Sequence, residues 1–317
     1  MKIMPIKLRV LRWAATCFSV AAFLVSQTAA AQSLITGYWN PLLHQDAAPY
    51  AGGPDPGDFA GLPITEAARR VAQQYDPDRG IMPELQCQPF PATYGPRALS
   101  TMRMWETLDP ESQEQTKIES WISFAAQHRE IWMPASNHPY PPVSAPHSWQ
   151  GYSTGKWVGN VLWVHTDHLK DGFLLRSVGL PLDDKTTMDE RIFRYADVLV
   201  DIMMISDPQY LSQPFVYSKL YYRIPQGNMD PYPCTPHNQV ELPEGHVPMH
   251  LPFYTTTYNR QFMSHGIPFE AARGGEQTML PEYQDYLKTL PPNPPLSKIE
   301  EEQQQQIVEQ SAISQEK

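Results

Sequence analysis

Hydrophobic and polar positions alternate with a period of two through the middle of the chain, which is typical of half-buried β-strands. The alternation predicts strands over 117–127, 129–133, 157–166, 186–195, 198–206 and 215–224. The first two strands are joined near His128, and Gly159-Asn160 predicts a bulge or a tight bend inside the third. Ala196-Asp197 predicts a hairpin turn between the two strands that flank it.

The segment 215–224 indicates which side chains face the core. Val216, Leu220, Tyr222 and Ile224 are predicted on one apolar face, and Lys219 and Arg223 on the opposite face. Successive strands with one apolar face and short turns favour an antiparallel meander over a parallel α/β layer. The predicted fold class is therefore mainly β, a barrel or half-barrel.

The amino terminus has the three zones of a secretory signal peptide. Four basic residues precede an uncharged apolar run over 13–25, and the small residues Ala29-Ala30-Ala31 follow. The apolar run is too short to cross a bilayer comfortably, because a spanning helix needs about 20 residues. We therefore expect cleavage near Ala31-Gln32 and a periplasmic or secreted protein, with a retained N-terminal anchor as the alternative.

Composition divides the remaining chain. Proline and glycine are frequent over 32–62, which predicts an extended arm without regular structure, and a short helix follows Pro63 and Thr65. Short helices are also predicted at 257–265 and 281–290. The predicted organisation is a signal peptide at 1–31, an arm with a short helix at 32–97, an antiparallel β domain at 98–226, a Pro-rich loop and helical segment packing on it at 227–290, and a low-complexity tail at 291–317.

The charge of the mature chain excludes some partners. Removal of the leader takes away four basic residues and no acidic ones, so the formal charge changes from −10 to −14. An acidic surface disfavours nucleic acid and anionic membranes as partners. After the leader, no segment is apolar for long enough to span a membrane as a helix.

Two cysteines remain after cleavage, Cys87 and Cys234, each in a Pro-rich segment. Export to an oxidising compartment predicts a disulfide between them. Two free thiols or a pair of metal ligands are the alternatives.

Histidines in loop segments are the main candidates for chemistry, since loop side chains are open to solvent and ligand. His168 follows the end of a predicted strand, and His165 shares its strand face with Val161 and Trp163. His147 precedes a stretch with Trp149, Tyr152 and Trp157, where Gly151 and Gly155 permit tight backbone, a composition that suits a pocket mouth or an ordinary packed loop.

A third group of histidines lies over 234–250, where His237, His246 and His250 accompany Glu241 and Glu244. Three such ligands with an open position for water would suit zinc or iron, although the same residues suit a Pro-rich surface.

Several motifs together resemble a large set of secreted bacterial proteins whose activity is not settled. The motifs include His138-Pro139, His147-Ser148-Trp149-Gln150-Gly151-Tyr152-Ser153-Thr154-Gly155, His168-Leu169-Lys170, Asp207-Pro208, Val247-Pro248, His250-Leu251-Pro252 and His265-Gly266-Ile267-Pro268. The resemblance implies an exported protein and gives a list of matching candidate residues: His138, His147, His168, Lys170, Glu190 and His250.

This chain departs from that set at charged positions. Leu175-Arg176-Ser177 stands where the set tends to have paired arginines, and Arg191 and Tyr195 stand where it often has histidine. These departures change any charge-based contact with a substrate, so a relative's activity does not transfer directly.

The opening Gly37-Tyr38-Trp39 is similar to the Gly-x-Trp of lipocalins. This resemblance implies a lipocalin-like barrel or half-barrel that encloses a ligand. An irregular N-terminal arm and short C-terminal helices would accompany the barrel.

The sequence supports two functional hypotheses. The first is a binding protein for a lipophilic or aromatic small molecule. Its predicted ligand contacts are Trp149, Tyr152, Trp157, Lys170 and Arg176. The second is a His-dependent hydrolase or lyase that uses a divalent metal, zinc or iron, or acid–base chemistry. Its predicted catalytic residues are His147, His168 and Glu190, and its predicted metal ligands are His147, His168 and His250.

Overall fold

The computed structural model is mainly β and closes nine strands into one barrel. It describes residues 35–42, 59, 61–75, 79, 82–97, 100–175, 178–231, 234–237 and 280–291, with single positions at 268, 277 and 298. The barrel strands are β1 (Gly37–Pro41), β2 (Met102–Leu108), β3 (Gln115–Ile122), β4 (Gln127–Trp132), β5 (Tyr152–Val158), β6 (Val161–Asp167), β9 (Thr187–Tyr195), β10 (Val198–Ser206) and β11 (Phe215–Ile224). Their order around the barrel is β1-β11-β10-β9-β6-β5-β4-β3-β2.

Among the described residues, two further strands and two α-helices lie outside the barrel sheet. The strands β7 (Gly172–Leu175) and β8 (Leu180–Leu182) form a separate hairpin. The helices are α1 (Glu66–Gln73) and α2 (Pro281–Leu287). The hydroxyl of Thr65 accepts a hydrogen bond from the Ala68 N–H and so caps α1, which packs against β8.

The barrel departs from a simple antiparallel meander at one place. β4 and β5 run parallel, with Ile131 opposite Ser153 and Trp132 opposite Thr154. The chain between these strands covers 133–151, which is long enough for the crossover that a parallel pair requires.

The N-terminal arm contributes a strand to the barrel. β1 pairs antiparallel with both β11 and β2 and thereby closes the sheet. The prediction of an arm without regular structure over 32–62 is therefore wrong at Gly37–Pro41. The indole of Trp39 is fully buried and donates to the Ile35 carbonyl at 2.8 Å, which fixes this strand in place.

Several strands begin or end at turns that differ from the predicted boundaries. Gly159-Asn160 forms a tight turn between β5 and β6, so the predicted strand 157–166 covers parts of two strands. The turn between β3 and β4 lies over 123–126, not at His128. The hairpin at Ala196-Asp197 and the helix that begins at Pro281 are confirmed. The predicted helix at 257–265 and the signal peptide at 1–31 lie outside the described residues.

The predicted faces of β11 are reversed. Tyr217, Lys219 and Tyr221 point into the barrel and are buried, whereas Val216 and Tyr222 are exposed. The prediction failed because it assigned the aliphatic positions to the core, while this part of the interior is polar. Both buried tyrosines donate to backbone carbonyls: Tyr217 to Thr93 at 2.7 Å and Tyr221 to Pro96 at 2.8 Å.

Two hydrophobic clusters stabilise the fold. One fills the barrel interior and includes Trp39, Ile118, Leu162 and Leu199. The other connects the barrel to α1 and to the β7–β8 hairpin through residues such as Ala68, Leu174, Leu180 and Met203. The second cluster holds the external elements against the barrel. Within the described residues, no helix has both the length and the apolar character needed to cross a membrane.

A disulfide joins Cys87 to Cys234, with a Cα–Cα distance of 5.6 Å. This confirms the pairing expected from the sequence. The bond connects positions 147 residues apart.

Candidate ligand-binding cleft

A cleft of about 910 Å³ lies outside the barrel, next to α1 and the β7–β8 hairpin. Four separate parts of the chain build its walls: the segment from α1 to Tyr94, the segment from Trp149 to Phe173, the residues Pro181 to Asp184, and the loop that contains Tyr210. Six aromatic side chains line it: Tyr75, Phe90, Tyr94, Trp149, Phe173 and Tyr210. A concave site of this size with several aromatic side chains in its walls is suited to a small organic molecule.

Trp149 and Lys170 form one wall because their backbones are paired. Ser148 and Leu169 make a parallel bridge, in which the Ser148 N–H donates to the His168 carbonyl and the Lys170 N–H donates to the Ser148 carbonyl, both at 3.0 Å. The Lys170 ammonium consequently lies 5.6 Å from the centroid of the Trp149 ring. Both residues were predicted as ligand contacts, and both line the cleft.

Tyr75 lines the cleft shortly after the end of α1. Its ring meets the ring of Phe173 edge-on, with centroids 5.6 Å apart. It also lies against Gly179, where an added Cβ would stand 2.2 Å from the Tyr75 Cβ and Cγ atoms. Gly179 has a φ of +67°, a conformation that favours glycine. The glycine therefore makes room for Tyr75 in the wall.

The loop before Tyr94 supplies Phe90 and is tied down at several points. The Ala92 N–H donates to the Trp149 carbonyl, and the Gln150 side-chain amide donates to the Phe90 carbonyl, both at 2.9 Å. Gln86 and His237 exchange two hydrogen bonds of 2.9 Å beside the Cys87–Cys234 disulfide. The disulfide therefore links this wall to the chain that follows the barrel.

Charged side chains of both signs line the cleft. The cations are Arg79 and Lys170, and the carboxylates are Asp171, Asp183 and Asp184. Asp171 and Asp184 are exposed, and one oxygen of Asp183 accepts from the Lys185 N–H at 2.8 Å. The carboxylates thus lie at the rim, where water and salt screen them.

The interior of the barrel contains a buried ion pair. The Arg129 guanidinium binds both oxygens of Glu190 and donates to Ser153 Oγ at 3.0 Å and to Thr166 Oγ1 at 2.6 Å. Burial lowers the pKa of Arg129, and the Glu190 carboxylate raises it. The net result is a raised pKa. Glu190, predicted as a proton carrier, is fully buried here, and its side-chain hydrogen bonds within the described residues go to Arg129.

The cavity beside this ion pair is small. It measures about 20 Å³ and is lined by Gln127, Arg129, Glu190 and Asp201, among others. Burial raises the pKa of Asp201 well above its ordinary value, and the neighbouring Glu190 charge adds to this effect. Such a volume holds about one water molecule. This cavity is therefore too small for the enclosed ligand that the lipocalin resemblance implied.

His147 and His168 come together at the end of β6. Their ring centroids are 5.3 Å apart. His147 Nδ1 lies 2.8 Å from the Leu169 carbonyl, which can only accept, so Nδ1 carries the proton. His168 Nδ1 lies 2.8 Å from Asp167 Oδ1, and its Nε2 lies 3.1 Å from the Pro142 carbonyl.

Both nitrogens of His168 face acceptors, an arrangement that favours the imidazolium. The hydrogen bond with Asp167 is the main reason that the pKa of His168 is raised. Asp167 also accepts from Tyr140, whose pKa is raised to about 12 by burial and by this hydrogen bond. These contacts fix the loop over 138–148 to the end of β6.

The other predicted residues lie elsewhere. Tyr152 stands near His138 and Tyr140 on the outer surface, and Trp157 donates to Gln115 Oε1 at 2.7 Å. Arg176 and His250 lie outside the described residues. In the part of the chain that the structure describes, no three His, Cys, Asp or Glu side chains are grouped to hold a metal. The arrangement leaves His168 no free nitrogen, so the described residues do not fit a metal centre, and the proposed His147, His168 and His250 set stays a prediction.

Several cleft residues were not singled out from the sequence. Tyr75, Phe90, Phe173 and Tyr210 belong to segments far apart along the chain, and no local pattern connects them. The buried Arg129 did carry a signal, because it alternates with Gln127 and Ile131 on β4 and so faces inward.

No family model matches the chain, and comparison with curated proteins and with solved structures finds no match either. The fold and the cleft define a mainly β barrel protein with an aromatic site on its outer side.

Proposed function

We propose that this is an exported protein that binds an aromatic or lipophilic small molecule in the external cleft. The observation that carries the proposal is the volume of about 910 Å³ lined by six aromatic side chains. Aromatic side chains favour flat apolar ligands, because they stack on them and remove apolar area from water. The disulfide between Cys87 and Cys234 supports an oxidising compartment.

The walls of the cleft are held in place before a ligand arrives. Backbone pairing fixes Trp149, packing against Gly179 fixes Tyr75, and β7 holds Phe173. A site built in advance loses less conformational entropy on binding. The proposed binding therefore needs no large rearrangement of these walls.

Calorimetric titration with 1-naphthalenemethanol, a neutral aromatic alcohol, tests the proposal. We expect saturable binding at one site, weakened by about tenfold or more in Trp149→Ala and in Phe173→Ala, since aromatic anchors carry much of the energy in such sites. Trp163→Ala is the matched control, because Trp163 is exposed on another face and packs against Arg191. The absence of saturable binding, or equal affinities in all variants, would contradict the proposal.

Export is tested separately. Amino-terminal sequencing of protein recovered from the periplasm or medium is expected to begin at Gln32. Recovery of the full-length chain in the cytoplasm, with Met1 retained, would overturn this part of the proposal.

A second candidate is a His-dependent hydrolase or lyase, which the pair of histidines at the end of β6 favours. His147 Nδ1 donates to the Leu169 carbonyl, so Nε2 is the nitrogen of this ring that would accept a proton from a substrate. Hydrolysis of p-nitrophenyl acetate should then fall at least about tenfold in His147→Ala relative to the wild type. Equal rates in both proteins would contradict it, and elemental analysis for zinc and iron tests the metal-dependent form.

A further inference from the structure

We propose that the ligand of the cleft is an aromatic carboxylate, held at its acidic group by Arg79 and Lys170. This inference rests on the proposed binding function and names the chemical class of its ligand. Its support comes from the two cations that line the cleft and from the partners that they lack among the described residues.

Arg79 has a buried donor that lacks an acceptor. Its Nε atom is buried and makes no hydrogen bond with any of the described residues. The backbone holds the residue in position, because the Met82 N–H donates to the Arg79 carbonyl at 3.2 Å. A buried N–H without an acceptor is costly, and an anionic ligand oxygen would remove this cost.

Lys170 adds a second cation on the Trp149 wall. Its ammonium lies 5.6 Å from the Trp149 ring centroid, and the ion pairs within the described part of the chain do not include this ammonium. A flat ring stacked against Trp149 would place its substituents near this ammonium. The cation and the aromatic surface are therefore available to the same ligand.

The three carboxylates of the cleft repel an anionic ligand less than the two cations attract it. Asp171 and Asp184 are exposed, so water screens their repulsion of an anion. The Arg79 Nε, by contrast, is out of contact with water. An interaction in a water-excluded position is stronger than one at the rim, and the buried Nε of Arg79 therefore favours an anionic ligand.

Three probes of the same shape but different charge test the inference: 1-naphthoate, 1-naphthalenemethanol and 1-naphthylmethylammonium. We expect 1-naphthoate to bind at least about tenfold more tightly than the alcohol, because hydrogen bonds to charged groups are worth that much. The ammonium compound is expected to bind most weakly. Raising the salt to 0.5 M, roughly three times physiological ionic strength, should reduce the contribution of exposed Lys170 more than that of Arg79.

Variants assign the preference to the two cations. Arg79→Gln is expected to bring 1-naphthoate to within about threefold of the alcohol, whereas Arg79→Lys retains part of the preference. Lys170→Gln should partly reduce the preference for 1-naphthoate over the alcohol. Arg191→Gln is the control, because Arg191 is a cation that packs against Trp163 on another face, and it should leave this preference unchanged. Denaturant unfolding of each variant checks that the fold is retained.

The outcomes separate the two proposals. If the alcohol binds as tightly as 1-naphthoate, or the ammonium compound binds most tightly, the inference fails while the binding function stands. An unchanged preference in Arg79→Gln would also overturn the inference. If none of the three probes binds, the proposed function fails and the inference fails with it.

Discussion

The ring of Tyr75 occupies the space that a side chain at position 179 would fill. An added Cβ on Gly179 would lie 2.2 Å from the Tyr75 Cβ and Cγ, closer than atoms approach in folded proteins. Tyr75 lines the cleft. Gly179 is therefore the residue whose size sets the position of this wall.

We expect Gly179→Ala to destabilise the protein by about 2 to 4 kcal/mol, because it combines overpacking with a left-handed backbone. Gly159→Ala is the matched control, since Gly159 has a similar φ of +63° but no atom within 4 Å of its added Cβ. The control should lose only about 1 to 2 kcal/mol. Denaturant unfolding measures both variants, and equal losses would show that Tyr75 does not pack against position 179.

Removal of the disulfide should weaken both the fold and the ligand site. The bond closes a loop of 147 residues, for which the chain-entropy model gives about 5 kcal/mol of stabilisation. The double variant Cys87→Ser with Cys234→Ser should unfold at lower denaturant and bind 1-naphthalenemethanol more weakly, because the loop with Phe90 loses its tether. Unchanged affinity in a variant that is still folded would mean that the disulfide does not hold the cleft wall.

Glu190→Gln is expected to destabilise the barrel by about 3 to 5 kcal/mol, because it leaves the buried Arg129 cation without its partner. The double variant Arg129→Met with Glu190→Leu should recover much of that loss. Glu130→Gln is the control, since Glu130 pairs with Lys117 nearer the surface and should cost less than about 1 kcal/mol. Thermal and denaturant unfolding test these values; a Glu190→Gln variant as stable as the wild type would contradict the structural role of the ion pair.

His168 makes stability depend on pH. Its pKa in the folded protein is raised above 6.5, chiefly by Asp167, so its stabilising effect is complete below about pH 6.5 and is lost as pH rises through the folded-state pKa. Relative to His168→Gln, the wild type should be more stable by about 1 to 2 kcal/mol at about pH 5.5, and this advantage should shrink by about pH 8.5.

His165→Gln is the comparison for the cost of the substitution, because His165 contacts Asp189 but its side chain is 45% exposed. We expect it to lower the stability less than His168→Gln does at about pH 5.5, as solvent screens the pair. Denaturant unfolding at both pH values measures the stability of each variant. A wild-type advantage that grows with pH would contradict the assigned protonation state of His168.

The strands could be predicted because apolar and polar residues alternate along them, and this alternation is visible in one sequence alone. The hairpin of β9 and β10 shows this clearly, with alternating burial along Thr187–Tyr195. β1 escaped prediction since it lies in a Pro- and Gly-rich segment, and its pairing with β11 and β2 depends on residues far along the chain. The faces of β11 were misassigned because the barrel buries Lys219.

The candidate site was only partly predictable, for a different reason. Trp149 lies in the motif from His147 to Gly155 and Lys170 in the motif His168-Leu169-Lys170, and the sequence pointed to both residues. Tyr75, Phe90 and Phe173 join them only through tertiary packing, which no local pattern encodes. Glu190 was assigned to chemistry with His147 and His168, but its alternation on β9 places it inside the barrel with Arg129.

A crystal structure of the protein with bound 1-naphthalenemethanol would show where the ligand lies. We expect the naphthalene ring in the external cleft, in contact with Trp149 and Phe173. A ring found only inside the barrel, or only on another surface, would contradict this expectation.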